Sequence, residues 1–185
     1  MIVKGTAFLG RKSYLEKALG KDVFDAFLAE AAKRDPAFAQ PILPTTRIEV
    51  DAFLRLNDAV VRRFYRGDEK SYIAFGEASA VWALTEGPYK RLLASRSVDE
   101  FAASAPVIYR NYFTEGDAKA EHVRPDCVEL RLTGIETRHV YFEYAVNGYF
   151  RKGLELVTGQ PVTMKAAKGF SRGDADVLYT FHLRP

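Results

Sequence analysis

Residues 139–158, HVYFEYAVNGYFRKGLELVT, form the stretch that decides the fold. Thirteen of these twenty residues are apolar, aromatic or glycine, which predicts a helix that is buried around most of its circumference. The main polar exceptions recur every four residues, at Glu143, Asn147, Arg151 and Glu155. At roughly 3.6 residues per turn this spacing keeps consecutive members adjacent, with a drift of about 40° per step. We therefore expect a core helix with one narrow polar seam.

Charge and cysteine content limit the classes of function. The net charge is +3, from 27 basic and 24 acidic side chains spread along the chain, so nucleic acid is not expected as a partner. Cys127 is the only cysteine, which excludes an internal disulfide and a cysteine-based zinc site. No apolar run reaches the roughly 18 residues of a membrane span, and the apolar stretch at the amino terminus is too short for a secretory signal. We therefore expect a cytoplasmic protein without a membrane span.

The first 115 residues carry helical periodicity with clear breaks. The Pro-rich stretch 36–46 predicts a loop, and Ser97 with Glu100 is a capping-box pattern that opens a helix. The expected helices are Ser13–Leu19, Val23–Arg34, Val50–Tyr65, Ser71–Leu84, Tyr89–Ala94 and a last one from Ser97 towards Tyr112, bent at Pro106. Residues 2–9 fit either a strand or the lead into the first helix.

After Gly116 the periodicity changes to alternation, which predicts strands. A hairpin on either side of a Pro-Asp turn precedes the core helix, and strands at Val162–Ala167 and Val177–Leu183 follow it. The order strand, strand, helix, strand, strand predicts an α+β fold with an antiparallel sheet of about four strands. We expect a single domain over residues 1–185, with a helical layer in 1–115 and the sheet plus core helix in 116–185.

Several stretches resemble a known fold group. They are GPYKRLL at 87–93, APVIYRNYFTEG at 105–116, DCVELRL at 126–132, VNGYFRKGLELVTGQPV at 146–162 and RGDADVLYTF ending at Phe181. Residues 75–183 thereby resemble the ligand-binding domains shared by 4-vinyl-reductase-type sensors, haem nitric-oxide-binding domains and the small subunits of the TRAPP trafficking complex. Within that group they look most like a myxobacterial paralogous family of unknown function. The opening VKGTAFLG is also similar to the start of haem nitric-oxide-binding domains.

The resemblance implies a haem ligand that this sequence lacks. The family's proximal histidine would fall in the helix containing VDEFAASAP, where this chain has Ala102. The Tyr-x-Ser-x-Arg pattern that holds the haem propionates is also absent. Iron needs an axial donor to stay bound, so we expect no haem of the family's kind. The cysteines that many 4-vinyl-reductase-type domains carry near the final hairpin are missing from residues 168–180 as well.

No set of residues forms a recognisable reaction centre. Gly5, Gly10, Lys12 and Ser13 nearly make a phosphate-binding loop, but Arg11 interrupts the contiguous Gly-Lys-Ser that the loop needs. The three histidines, His122, His139 and His182, are too scattered for a helical metal pair. We expect no catalytic residues, no metal and no cofactor. We expect Cys127 to be a small apolar side chain in the core. The alternative, implied by the resemblance to the trafficking subunits, is an acylated thiol.

Aromatic density is the strongest indication of a ligand site, because large amphipathic rings line pockets for apolar molecules. Our first hypothesis is a non-enzymatic sensory or ligand-binding domain for a small hydrophobic molecule, held between the helical layer and the core helix. Its expected ligand contacts are Trp82, Tyr109, Tyr112 and Tyr144 by area, with Asn147 and Arg151 as hydrogen-bonding groups.

The same aromatic residues would also fill an ordinary core, so a second hypothesis stays open. It is a protein-interaction or scaffolding subunit that dimerises through its amino-terminal helices and binds no small molecule. An exposed apolar face on those helices would favour it. A third hypothesis, an enzyme acting on a tetrapyrrole, is implied only by the resemblance.

Overall fold

The computed structural model describes residues 1–183. Its helices are α1 (Gly5–Leu19), α2 (Lys21–Ala32), α3 (Val50–Phe64), α4 (Ser71–Thr85), α5 (Lys90–Ser95), α6 (Val98–Ala103), α7 (Ala105–Arg110) and α8 (Val140–Thr158). Its strands are β1 (Ile2–Lys4), β2 (Arg47–Glu49), β3 (Asp117–Arg124), β4 (Cys127–Thr133), β5 (Val162–Lys168) and β6 (Val177–Leu183). Short 3₁₀ turns lie at Pro36–Phe38 and Phe170–Arg172.

The carboxy-terminal sheet has the strand order β3-β4-β6-β5, with every neighbouring pair antiparallel. Hairpins β3–β4 and β5–β6 lie side by side through the pairing of β4 with β6, and α8 connects them along the chain. Alternation sends Val128, Leu130 and Leu132 into the core from β4. The predicted α+β fold, with its strand, strand, helix, strand, strand order, is confirmed.

The core helix α8 crosses α4 at very short distance, because glycines remove the side chains at the crossing. A Cβ atom added at Gly76 would overlap the Ala145 carbonyl oxygen and lie 2.7 Å from the Tyr149 nitrogen. A Cβ added at Gly148 would overlap the carbonyl group of Ile73. The two helix backbones are therefore in direct contact, which fixes α4 on the face of α8.

The polar seam of α8 is used for internal contacts. Glu143 and Asn147 are fully buried. Glu143 accepts hydrogen bonds from the Ser171 backbone N–H at 2.8 Å, the Ser171 hydroxyl at 3.0 Å and the Tyr179 hydroxyl at 2.8 Å. Arg151 is half-buried and forms an ion pair with Glu77 of α4. The seam thus attaches α8 to the Phe170–Arg172 turn, to β6 and to α4.

The amino-terminal boundaries differ from the predicted ones. Helix α1 begins at Gly5, eight residues before the predicted Ser13. The preceding residues form the short strand β1, which is one of the two expectations for residues 2–9. It pairs with β2, Arg47–Glu49, and the sequence did not indicate β2. A Cβ at Gly5 would overlap the Leu43 carbonyl oxygen, so this close approach of the loop needs glycine.

The predicted bend at Pro106 is wrong, because the helix ends before it. Ser97 caps α6 by accepting a 3.1 Å hydrogen bond from the Glu100 backbone N–H, as the capping pattern predicts. The Ser104 hydroxyl then bonds back to the Phe101 carbonyl at 2.6 Å, and a separate helix, α7, starts at Ala105. Pro106 lies in the first turn of α7, where its missing N–H costs nothing.

One hydrophobic cluster joins the helices to the sheet. It includes Phe8 of α1, Phe53 of α3, Phe75 of α4, Phe142 of α8 and Phe181 of β6. Among residues 1–183, no helix combines the length and apolarity that a membrane crossing requires.

Candidate functional site

A cavity of about 50 Å³ lies where α1, α4, α7 and α8 meet the sheet. Its walls are mainly aliphatic and aromatic, and nearly all the side chains that line it are buried. Helix α1 contributes Ala7, α7 contributes Ala105 and Ile108, and the sheet contributes Ala118 and Leu130. The small side chains at Ala7, Ala105 and Ala118 leave the space, whereas larger residues there would fill it. The cavity is therefore a mainly apolar pocket between the helical layer and the core helix.

Arg11 places a positive charge on the wall of this cavity. Its side chain is only 5% exposed. One terminal nitrogen donates to the side-chain amide oxygen of Asn57, and the other donates to the Tyr141 hydroxyl at 2.8 Å. The guanidinium carbon lies 4.8 Å from the centroid of the Tyr141 ring and 5.0 Å from that of Phe75, which is cation–π distance. Its Nε has no hydrogen-bond partner in residues 1–183.

Besides Arg11 and Tyr141, three more phenols add polar groups to a mainly apolar wall. Tyr109 donates its hydroxyl to the Glu115 carbonyl at 3.0 Å. The Tyr149 hydroxyl is buried and has no hydrogen-bond partner in the described chain, and the Tyr112 ring packs edge-on against that of Tyr149, with centroids 5.9 Å apart. Burial raises the pKa of all three phenols. These groups are therefore neutral hydrogen-bonding groups at physiological pH.

The six residues expected from the sequence to contact a ligand are not gathered in one place. Tyr109 and Tyr112 line the cavity. Trp82 and Tyr144 are half-buried and pack against the hydrophobic core outside it. The spacing of aromatic residues on α8 did not separate lining from non-lining positions, because aromatic side chains occur on several faces of that helix.

Asn147 and Arg151 also lie outside the cavity lining. Asn147 donates its side-chain N–H to the Glu143 carbonyl at 2.6 Å, within its own helix. Arg151 points to Glu77 and Glu155, whose Oε1 lies 3.6 Å from Arg151 Nη1. The polar seam that suggested hydrogen bonds to a ligand thus mainly contacts the protein, and its two atoms without a partner in the described chain, Asn147 Oδ1 and Arg151 Nε, belong to residues outside the cavity lining.

Four polar lining residues lie outside the six expected ligand contacts: Arg11, Ser79, Tyr141 and Tyr149. A signal for Arg11 was available. Ala7, Arg11 and Leu15 are four residues apart on the buried face of α1, and a charge on an apolar helix face is unusual unless it has a partner. Ser79, four residues after Phe75, donates to the Phe75 carbonyl at 2.9 Å, as helical serines often do.

Comparison with solved structures places this architecture among known folds. An H-NOX protein from S. oneidensis in the Fe(II)NO state superimposes with a TM-score of 0.74 at 14% identity, covering 98% of this chain and 99% of that one. An oxygen-binding H-NOX domain related to soluble guanylate cyclases gives a TM-score of 0.74 at 16% identity, with 98% and 95% coverage. The chain has an H-NOX-like fold. No family model and no curated protein sequence matches it.

Haem is the group that the H-NOX-like fold implies, and the cavity residues do not fit it. None of the histidines lines the cavity. His122 contacts Asp99 with 2.7 Å between Nδ1 and Oδ1, His139 caps the start of α8, and His182 is exposed on β6. Ala102, at the position where the resemblance implies the iron ligand, is buried in α6 without a donor atom.

The other side chains that could bind iron, and the volume of the cavity, do not fit haem either. Burial raises the pKa of the Tyr109, Tyr112 and Tyr149 phenols, which disfavours the phenolate that would bind iron. Pockets for drug-sized ligands measure about 300–1,000 Å³, far more than this cavity of about 50 Å³. In the described chain no three His, Cys, Asp or Glu side chains are grouped so that they could hold a metal ion.

Proposed function

We propose that this protein is a non-enzymatic sensory domain that binds a small, largely apolar molecule without haem. The observation that carries the proposal is the buried, mainly apolar cavity between the helical layer and the core helix. Alanines at four wall positions, Ala7, Ala105, Ala118 and Ala145, keep that space open, although a closely packed interior ordinarily leaves few voids. The H-NOX-like fold supports a sensory role by analogy.

The position of the cavity supports signalling as well as binding. Its wall combines α1, α4, α7, α8 and two strands of the sheet, so an occupant would contact the helical layer and the sheet together. A ligand changes a protein only through different contacts in its different states. An occupant at this junction would bias the packing of the helical layer on the sheet.

The distribution of exposed apolar residues favours ligand binding over an interaction subunit. The large exposed hydrophobic residues of the described chain are Val23, Leu43, Val81, Val107 and Val123. They lie on different elements, and single exposed apolar residues are normal on a monomer surface. Dimerisation through the amino-terminal helices therefore remains the second hypothesis.

The buried Cys127 thiol fits a reducing compartment, and we propose a cytoplasmic location.

Xenon binding tests the cavity directly, because a xenon atom occupies apolar enclosures without needing polar partners. We expect xenon to shift NMR signals of methyl groups around Ala105, Ile108 and Leu130. Ala105→Leu should fill the space and abolish the shifts. Val107→Leu, on the exposed face of the same helix, is the matched control and should leave them unchanged.

Native mass spectrometry of the purified protein provides the complementary test. A mass that accompanies the folded wild-type chain, disappears on denaturation and is missing from Ala105→Leu would support the proposal. Xenon shifts that are equal in the wild type and in Ala105→Leu would show that the cavity is not the binding place, and the proposal would fail.

A further inference from the structure

We infer that Arg11 binds the anionic end of the ligand, and that the ligand class is short-chain carboxylates. The inference rests on the proposed function, because it assigns the chemistry of an occupant of the same cavity. Three features carry it: the uncompensated charge of Arg11, its unused donors and the dimensions of the space beside it.

The charge of Arg11 lacks a counter-ion. The guanidinium forms no salt bridge with any carboxylate of residues 1–183, although the side chain is 95% buried. Its neighbours are an amide oxygen, a phenol and the faces of aromatic rings, including those of Phe53 and Phe75. These groups stabilise a cation but do not neutralise it. A buried charge is normally paired, so an anion in the cavity would complete the site.

The donors of Arg11 are also only partly used. A guanidinium has five N–H donors in a planar fork that matches the two oxygens of a carboxylate. Asn57 and Tyr141 take one donor each from the terminal nitrogens. The Nε–H has no acceptor in the described chain. The donors left over are of the kind that bind a carboxylate.

The dimensions of the cavity limit the rest of the molecule. A single water needs roughly 10–15 Å³, so a cavity of about 50 Å³ has room for a small molecule of about four to six non-hydrogen atoms. The remaining wall is aliphatic and aromatic, including Ile108, Leu130 and Phe150. A carboxylate at Arg11 with a tail of one to three carbons satisfies both the charge and the apolar wall. Acetate, propionate and butyrate are the members of this class to test.

Propionate and its neutral isostere propionamide provide the decisive comparison on the unmodified protein. The two molecules have the same size and shape, but only propionate carries a charge at neutral pH. Binding is measured by NMR titration and by the rise in melting temperature with ligand concentration. We expect propionate to bind at least about tenfold more tightly, because a hydrogen bond to a charged group is stronger than one between neutral groups.

Arg11→Met separates recognition of the ligand from a purely structural role. Methionine has a flexible, unbranched apolar side chain that fills irregular space, and Arg11 has no carboxylate partner that the change would leave unpaired. We therefore expect Arg11→Met to fold, to keep its xenon shifts and to lose propionate binding at least about tenfold. Tyr141→Phe removes one partner of Arg11 while keeping the charge, and it should keep the preference for propionate.

The outcomes distinguish this inference from the proposed function. If xenon binds but propionate does not, or if propionate binds no better than propionamide, the assignment of Arg11 is overturned and the cavity proposal stands. Equal propionate affinity in Arg11→Met and the wild type would also overturn the assignment of Arg11 and leave the cavity proposal in place. If neither xenon nor propionate perturbs the cavity residues, both proposals fail. If Arg11→Met does not fold, the comparison of propionate with propionamide on the wild type still tests whether the site recognises the negative charge.

Discussion

Buried polar residues in this molecule fall into two groups, which differ in whether the protein satisfies them. The Glu143 carboxylate accepts three hydrogen bonds from Ser171 and Tyr179, so its burial is compensated within the chain. Arg11 has two partners, neither of them charged. Unsatisfied buried groups in native structures call for an explanation such as a missing water, ion or ligand. That difference is why Arg11, and not Glu143, carries our inference about a ligand.

A second cluster, around Asp58, leads to a prediction about pH. His139 Nδ1 accepts a 3.1 Å hydrogen bond from the Tyr141 backbone N–H, so Nε2 must carry the proton that faces Asp58, 3.4 Å away. Tyr72 donates its hydroxyl to the same carboxylate. Burial acts to raise the pKa of Asp58, but hydrogen bonds from His139 and Tyr72 and the charge of Arg62 outweigh it, and the pKa is lowered from 3.8.

A lowered pKa means that ionised Asp58 stabilises the fold above the unfolded value of 3.8 and that this contribution is lost as the pH falls through the folded value. We expect Asp58→Asn to destabilise the protein at pH 7 by about 1 kcal/mol or less, since the side chain is partly solvated. Urea unfolding at pH 7 and pH 3 measures the effect, and the variant should lose less stability than the wild type on acidification. Asp126→Asn, at an exposed site, is the control. A loss on acidification as large as that of the wild type would contradict the assignment.

The crossing of α4 and α8 leads to a prediction at the scale of elements. Because a Cβ at Gly76 or Gly148 would overlap backbone atoms of the opposite helix, neither position can accept alanine without separating the helices. We expect Gly76→Ala and Gly148→Ala each to destabilise the protein by about 3 kcal/mol or more in urea unfolding. Separating the helices would also change the cavity wall, to which Gly76 and Tyr149 belong.

Gly10 of α1 offers a matched control for these glycines. Its added Cβ would meet the Ser79 hydroxyl at 3.5 Å, an ordinary contact. Gly10→Ala should therefore stabilise the protein by about 0.5–1 kcal/mol, through the higher helix propensity of alanine. Equal effects at Gly10, Gly76 and Gly148 would show that helix propensity, and not the crossing, determines the response.

At the scale of the whole molecule, the strand order could be predicted from the sequence because each strand keeps its own alternation and turn signals. The helix crossing could not, since Gly76 and Gly148 are 72 residues apart and nothing local pairs them. The same lack of local signals between distant residues explains why the candidate site was predicted only in part. Tyr109 and Tyr112 were expected at the cavity, but Arg11 enters it only because α1 packs against α3, α4 and α8 through Asn57, Phe75 and Tyr141.

The continuity of the core predicts how the molecule unfolds. The hydrophobic cluster crosses from the helices to the sheet, and α8 is in backbone contact with α4 while its Glu143 binds β6 through Tyr179. Neither the helical layer, residues 1–115, nor the remaining part can bury its apolar face alone. We therefore expect one cooperative transition, in which the fluorescence of Trp82 in α4 and the far-UV circular dichroism share a midpoint in urea.

Hydrogen exchange extends this test to the sheet, where there is no tryptophan. In a single cooperative unit, the slowest amides of β4 and of α8 should exchange with the same free energy as global unfolding. A fragment containing only residues 116–185 should not fold, because α8 would expose the glycine face that α4 covers. Separate transitions for Trp82 fluorescence and for the β4 amides would instead mean that the two layers are independent units. An occupant at their junction would then act by holding the layers together, and propionate should merge the two transitions into one.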